Sequence, residues 1–596
     1  MPIAKLMIIN DKSQTTARRK DRPLGSLAFS AGWGRVLGLA LLVLSAGTSY
    51  ASHRDGEEKY ASDIHQRAVA PKGMVTVIVQ YRQMPNHASL RATRSRGATI
   101  KAQHHRIHAV TMRIPASMLA KLAADPNVAY ITPDRPVNMT WTLPTEQFVA
   151  AVESDMAAAQ YALDGTGIGV AVIDSGISSH PDLNDASGNS RVVYSQSFVA
   201  GDSTTADLYG HGTHVAGLVG GTGASSGRAY GYPATYGGMA PNVNLINLRV
   251  LDQNGVGTDS QVIAAIEQAI ALQNTYNIRV INMSLGRPVF ESYTLDPVDQ
   301  AVEQAWQAGI VVVVAAGNNG RYWPTHGYGT VGVPGNDPAV ITVGATKTQN
   351  SATRVDDVIA SYSSKGPVAI DHIVKPDLVA PGNRLASLRV PGSTLDVGYP
   401  QFVVAPSRGT PMYYMLSGTS MATPVVSGAV ALMLQQNPTL SPDQVKARLM
   451  KTAWKGFGQF FSSSDSWGNI YDNEYDIFTF GAGYLDIQAA LNNTDLADGL
   501  ALSPTAVRNL DGTVTIVNTS SAAFGGTSVV WGAMSVVWGN SVVWGANTIT
   551  SNSVVWGAQS VVWGATSVSG TSVVWGATST AASNMAALTN GDDGDN

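Results

Sequence analysis

Two short apolar runs constrain this chain most. Val170-Ala171-Val172-Ile173 and Val311-Val312-Val313-Val314 carry no polar residue and no alternation. A run of that length, rich in branched side chains, reads as a strand buried on both faces, as in a parallel sheet covered by helices. In open α/β sheets the carboxyl ends of such strands line the ligand crevice. Asp174 ends the first run, followed by Ser175-Gly176. Beyond the second lies Ala315-Ala316-Gly317-Asn318, which puts Asn318 on the crevice side of the sheet.

Two further motifs carry chemistry. Gly210-His211-Gly212-Thr213-His214-Val215-Ala216-Gly217 sets an imidazole between glycines, ahead of a buried small-residue helix. Gly418-Thr419-Ser420-Met421-Ala422-Thr423-Pro424 places a hydroxyl at the start of a helix whose apolar run is Val425 to Leu434. Helix N-termini carry partial positive charge and unpaired N–H groups, which suit a developing anion. Serine is a weak nucleophile and needs a base and an orienting acid. Each piece also has an ordinary explanation: a turn aspartate, a structural histidine, a capping serine. His211 and His214 have a metal-like spacing, but the glutamate of the zinc-protease helix is missing and no third ligand is evident. No Gly-x-Ser-x-Gly elbow surrounds Ser420, which disfavours a lipase-like hydrolase.

Taken in order, Asp174, His211, Asn318 and Ser420 with these flanks resemble the subtilisin family of serine proteases, over roughly residues 160–493. The resemblance implies an α/β, subtilisin-like three-layer fold with a mostly parallel central sheet. It implies a secreted endopeptidase in which Ser420 attacks, His211 moves the proton, Asp174 orients the imidazole and Asn318 meets the oxyanion. Asn282-Met283-Ser284-Leu285-Gly286 and Leu251-Asp252-Gln253-Asn254-Gly255-Val256-Gly257 match the two segments between which an extended substrate lies. That implies substrate contacts at Gly255, Gly257, Ser284, Leu285 and Gly286. Gly332, in Val331-Gly332-Val333-Pro334-Gly335, matches the back wall of the pocket for the side chain before the cut. No cofactor is required. Structural calcium is the one candidate: Asp182 matches a family calcium position, although the partner loop Gly220–Gly227 lacks carboxylates.

The flanking regions are of other kinds. Residues 1–51 read as an export signal: seven Lys/Arg precede Val36, an apolar run spans Val36–Leu44, and Ser49-Tyr50-Ala51 fits a cleavage site. Residues 52–139 resemble the inhibitory propeptide of subtilases, a small α+β domain. Its predicted strands lie at Met74–Tyr81, His108–Ile114 and Val128–Ile131, with a short helix at Met118–Ala123. Residues 36–139 carry 13 Lys/Arg against 6 Asp/Glu, and residues 140–596 carry 18 against 34, so the two parts attract. The catalytic domain is expected at 140–495, with a surface helix capped by Ser441 and Pro442 and a longer irregular stretch between Gly382 and Ser417. The tail, 496–596, repeats Ser-Val-Val-Trp-Gly from 528, 535, 541, 553, 560 and 572. It reads either as a stack of short strands or as a low-complexity segment. The chain has no cysteine, which fits an exported bacterial protein. Expected partners are protein or peptide substrates and the chain's own propeptide, with surface or polysaccharide contact through the tail and no nucleic acid. The alternative is a cell-surface binding protein in which proteolysis is secondary.

Overall fold

The predicted strands of the N-terminal region form a sheet of their own. Strands β1 (Met74–Tyr81), β2 (Thr99–His104), β3 (Ala109–Pro115) and β4 (Val128–Pro133) pair antiparallel in the order β2-β3-β1-β4. Helices α1 (His87–Ser95) and α2 (Leu119–Ala123) accompany them. Val77, Val79, Val110, Met112, Ile114, Leu119 and Ile131 form this unit's private core. The opposite face of the sheet is not left to water. Ile78 and Ala109 join the main core of the molecule, so this sheet is docked as well as folded.

After β4 the chain makes a three-residue strand, β5 (Pro136–Asn138). The central sheet follows. It contains β6 (Gly169–Asp174), β7 (Val192–Ser197), β8 (Asn244–Arg249), β10 (Ile278–Met283), β11 (Val311–Ala315), β12 (Ile341–Lys347), β13 (Val358–Ile359) and β14 (Leu378–Pro381). The short strand β9 (Val256–Thr258) lies outside it and pairs with β5. The central order is β13-β12-β11-β10-β6-β8-β7, with β14 also on β12. All pairings are parallel except β12 with β13. The expected mostly parallel sheet is thus present, and both of the opening apolar runs are fully buried strands.

Helices cover this sheet. Helix α3 (Gly212–Gly220) packs on α6 (Thr419–Gln436), and α6 crosses β10, β11, β12 and β14. Helix α4 (Asp259–Tyr276) packs on α5 (Pro297–Gln307) and on β6 and β10. Helix α7 (Pro442–Thr452) starts as predicted, with Ser441 and Gln444 forming a reciprocal cap. The chain crosses from β8 to β10 on the other side of β6, so the strand order reverses at β6. Asp174 therefore stands at the crevice that such a reversal opens.

The structure, a computed structural model, describes residues 59–61, 63–64, 73–138, 148–149, 151–457, 460–464, 469–508 and 514–517. The expected export signal and the Ser-Val-Val-Trp-Gly repeats lie outside the described residues. Two expectations need correction. The stretch between Gly382 and Ser417 is not irregular, because β15 (Leu385–Leu388), β16 (Val403–Val404) and β17 (Tyr413–Leu416) form an antiparallel sheet in it. Nor does the catalytic body stop at 495. Strands β20 (Thr505–Arg508) and β21 (Val514–Val517), which follow the hairpin β18 (Phe460–Ser464) and β19 (Ile470–Glu474), belong to it. Ala501, Ala506 and Ile516 are buried with Val374, Met450 and Phe478, and Ser503 hydrogen-bonds Lys446 Nζ and Asp377.

Candidate active site

The four predicted residues come to the carboxyl ends of parallel strands. Asp174 is the last residue of β6, and His211 immediately precedes α3. His211 Nδ1 lies 2.9 Å from Asp174 Oδ1 and 3.1 Å from Oδ2, and both residues are buried. A carboxylate at that nitrogen fixes the proton on Nδ1 and directs Nε2 outward as the basic atom. Asp174 Oδ1 also accepts from the backbone N–H of Ser175 at 2.7 Å.

A second acid, unmarked by any motif, stands behind the pair. Asp207 Oδ1 accepts from Ser175 Oγ at 2.8 Å and from Gly210 N at 2.6 Å, while Oδ2 accepts from Thr213 N at 2.8 Å. These donors hold both ends of the His211 turn. Burial pushes the Asp207 carboxyl above the ordinary range, against the pull of those hydrogen bonds. An Asp four residues before a His-containing turn carries no motif signal; only the fold brings it under Ser175. The neighbouring His214 falls in no cluster of three or more metal-ligating side chains among the described residues. Its Nε2–H is shared between the carbonyls of Leu385 and Tyr414, at 3.1 Å each.

Ser420 lies in the first turn of α6, wholly buried, and its hydroxyl donates to the Ser284 carbonyl at 3.1 Å. Ser284 returns the contact, its own Oγ donating to the Ser420 carbonyl at 2.9 Å. This reciprocal pair ties the segment after β10 to the start of α6. Asn318 is held from the same helix: its Oδ1 accepts from Thr419 N and Thr419 Oγ1, each at 2.9 Å. With the oxygen so engaged, the amide nitrogen must point the other way. Asn318 Nδ2 is a buried donor without an acceptor among the described residues. Buried polar groups are usually paired, so an unpaired one at this position calls for an explanation.

The glycines expected at the substrate sit at close approaches. Gly255 has φ +71° and faces the ring of Tyr209. A Cβ on Gly257 would lie 2.4 Å from the Val250 carbonyl, and one on Gly286 would lie 2.8 Å from the Val333 carbonyl. At Gly332 a Cβ would meet the Arg287 carbonyl at 2.5 Å, next to the bridge between Arg287 and Val333. Leu285 is buried beside them. The edge presented by β9 is occupied by the chain itself: β5 runs antiparallel to it, with Pro136 opposite Thr258, Val137 opposite Gly257 and Asn138 opposite Val256.

Both carboxylate oxygens of Asp182 are engaged within the protein. Its Oδ1 accepts from Ser225 N at 2.9 Å and its Oδ2 from the Tyr413 hydroxyl at 2.5 Å. The loop that would have supplied further ligands offers a backbone donor instead.

A buried acid–imidazole pair, a serine at a helix start and a free amide donor, gathered at one end of a parallel sheet, define a serine-type endopeptidase. The chain belongs to the subtilase family: the family model described as Subtilase family matches residues 165–484. Among its relatives, serine protease AprX of Bacillus subtilis (strain 168) is 37% identical over 356 residues, 59% of this chain and 75% of AprX. Subtilisin DY of Bacillus licheniformis is 35% identical over 343 residues, 57% of this chain and 97% of that protein. Subtilisin E of Bacillus subtilis (strain 168) is 33% identical over 397 residues, 66% of this chain and 84% of that protein. The crystal structure of fervidolysin from Fervidobacterium pennivorans shares the fold, with a TM-score of 0.54 and 22% identity over 74% of this chain and 63% of that one.

Proposed function

We propose that the chain is a secreted endopeptidase, made as a self-inhibited precursor, in which Asp174, His211 and Ser420 act as a triad and Asn318 as oxyanion donor. The carrying observation is the His211–Asp174 contact, 2.9 Å and buried. Ser420 Oγ attacks the peptide carbonyl while His211 Nε2 takes its proton and then passes it to the leaving amine. Asp174 stabilises the imidazolium that forms between those events. The tetrahedral oxygen takes the hydrogen bond that Asn318 Nδ2 has to offer, together with the Ser420 backbone N–H. No cofactor enters this chemistry, and protein or peptide chains are its substrates.

The precursor reading is supported by the docking of residues 73–138. Strand β5 lies on β9 as an extended substrate would, main chain to main chain. Asp134 accepts from Ser260 N and Ser260 Oγ, both at 2.8 Å, and so sits at the N-terminus of α4, where negative charge is favoured. Gln80 bonds Gln300 and the Leu295 carbonyl, and His104 faces Glu267. Export is supported by the basic and apolar character of residues 1–51. Surface or polysaccharide contact through the repeat tail remains a proposal on its indole content.

The test is Ser420→Ala. Self-trimming of the precursor and casein hydrolysis should both fall on the order of a millionfold, the size of loss this substitution causes in subtilisin. An alanine variant that still processes itself and still digests casein would refute the assignment.

A further inference from the structure

Arg135, between β4 and β5, is almost wholly buried. Its Nη1 and Nη2 donate to the two oxygens of Glu291, at 2.5 Å each. The Phe290 ring lies under the guanidinium carbon at 4.9 Å, and Asp296 Oδ2 stands 3.9 Å from Nη1. The Arg135 carbonyl accepts from Asp259 N at 2.8 Å, which continues the β5–β9 pairing by one residue. On the segment's own side Asp63 contacts the guanidinium, at 2.8 and 2.9 Å.

The enzyme's share of this pocket is fixed independently of Arg135. Asp296 is held by Arg287 Nη2 at 2.6 Å and by Val298 N at 2.9 Å, as the cap of α5. Arg287 is held in turn by Asp259 at 2.8 Å. When residues 59–138 leave, Glu291 loses Arg135 and also the Thr132 hydroxyl at 2.9 Å. Glu291 is then a carboxylate without those two partners beside the Phe290 ring, and it attracts another cation. A planar guanidinium suits the site better than an ammonium, because it can bond both carboxylate oxygens while stacking on a ring.

We infer that the matured enzyme carries, beyond the edge strand β9, a subsite for an arginine side chain of its protein substrates, formed by Glu291 and Phe290 with Asp296 behind. The arginine it reads is the residue just before the three that pair with Val256–Thr258. This rests on the reading that β5 occupies β9 as substrate does.

The test uses matured enzyme and synthetic peptides with the sequence of residues 130–150, carrying Arg, Lys or Ala at position 135. Cleavage of the Arg peptide should exceed that of the Ala peptide about tenfold in kcat/KM, mostly through KM, with Lys between. Glu291→Gln enzyme should lose the discrimination. Should that variant fail to mature, Phe290→Leu should weaken it. Equal kcat/KM for the three peptides would overturn the subsite and leave the peptidase assignment intact. An enzyme that digests casein but leaves all three peptides uncut would overturn the substrate-like docking of β5, and the subsite with it.

Discussion

At the scale of single residues, the buried histidine near His211 is a liability in acid. His214 is fully buried, and loss of solvation holds its imidazole down to about 3, with the nearby His211 adding to the effect. An unfolded chain binds that proton near the ordinary 6.5. Between those values the unfolded state holds more protons, so stability falls as pH drops through 6.5 toward 3, by about 1.4 kcal/mol per pH unit inside the window. His214→Gln keeps a donor for the Leu385 and Tyr414 carbonyls and removes the titration. In a Ser420→Ala background, which prevents self-digestion, its loss of unfolding free energy between pH 7 and 4.5 should be smaller by about 2–3 kcal/mol. Identical losses in both proteins would refute this account. Residues of this kind divide by how they could be found. Asp174, His211, Asn318 and Ser420 were legible because each lies in a motif. The roles of Asp207, Ser175 and Thr419 were not, although the last two lie in the same motifs, because an aspartate, a serine and a threonine become orienting groups only through partners set by the fold.

At the scale of elements, the site depends on how closely α3 approaches β6. A Cβ on Gly212 would lie 2.3 Å from the Gly176 carbonyl and 3.0 Å from Asp174 Oδ1. Gly212→Ala must therefore push the helix away from the strand end and carry His211 with it. Crowding of this sort costs about 1–3 kcal/mol. We expect a lower melting temperature together with a fall in kcat, measured on a small peptide; an unchanged kcat would mean that the helix has slack here. The strands of the central sheet were readable because two-sided burial demands unbroken apolar runs. Strand β2 and helix α1 escaped notice for the opposite reason. Thr99–His104 is exposed on alternate positions and carries Lys101 and Gln103, and His87–Ser95 buries only Leu90. Strands β15 and β17 were hidden by their length, four residues each, and by polar buried groups such as Ser387 and Tyr413 whose hydroxyls are satisfied at a distance.

At the scale of the molecule, the end of the catalytic body lies later than a drop in motif density suggests. The family match ends at residue 484, yet Ser503 completes the coordination of Lys446, whose ammonium also meets the carbonyls of Pro338, Ala339 and Val340. Burial lowers that ammonium to about 7 despite Asp377, so every oxygen around it counts. A chain cut after 495 should melt several degrees below one cut after 520, both carrying Ser420→Ala. Equal melting would show that residues 496–517 only decorate the surface. The charge contrast between residues 36–139 and 140–596 was legible by counting, but a contact that uses it, Arg135 with Glu291, depends on a register no count supplies.

The antiparallel seat of β5 on β9 has a kinetic corollary. While one covalent chain joins blocker and cleft, re-binding is unimolecular and indifferent to volume. Once the joining peptide is hydrolysed, occupancy obeys mass action. In the precursor reading, the same molecules would stay silent in a crowded compartment and awaken when diluted outside it, so that latency ends by dispersal.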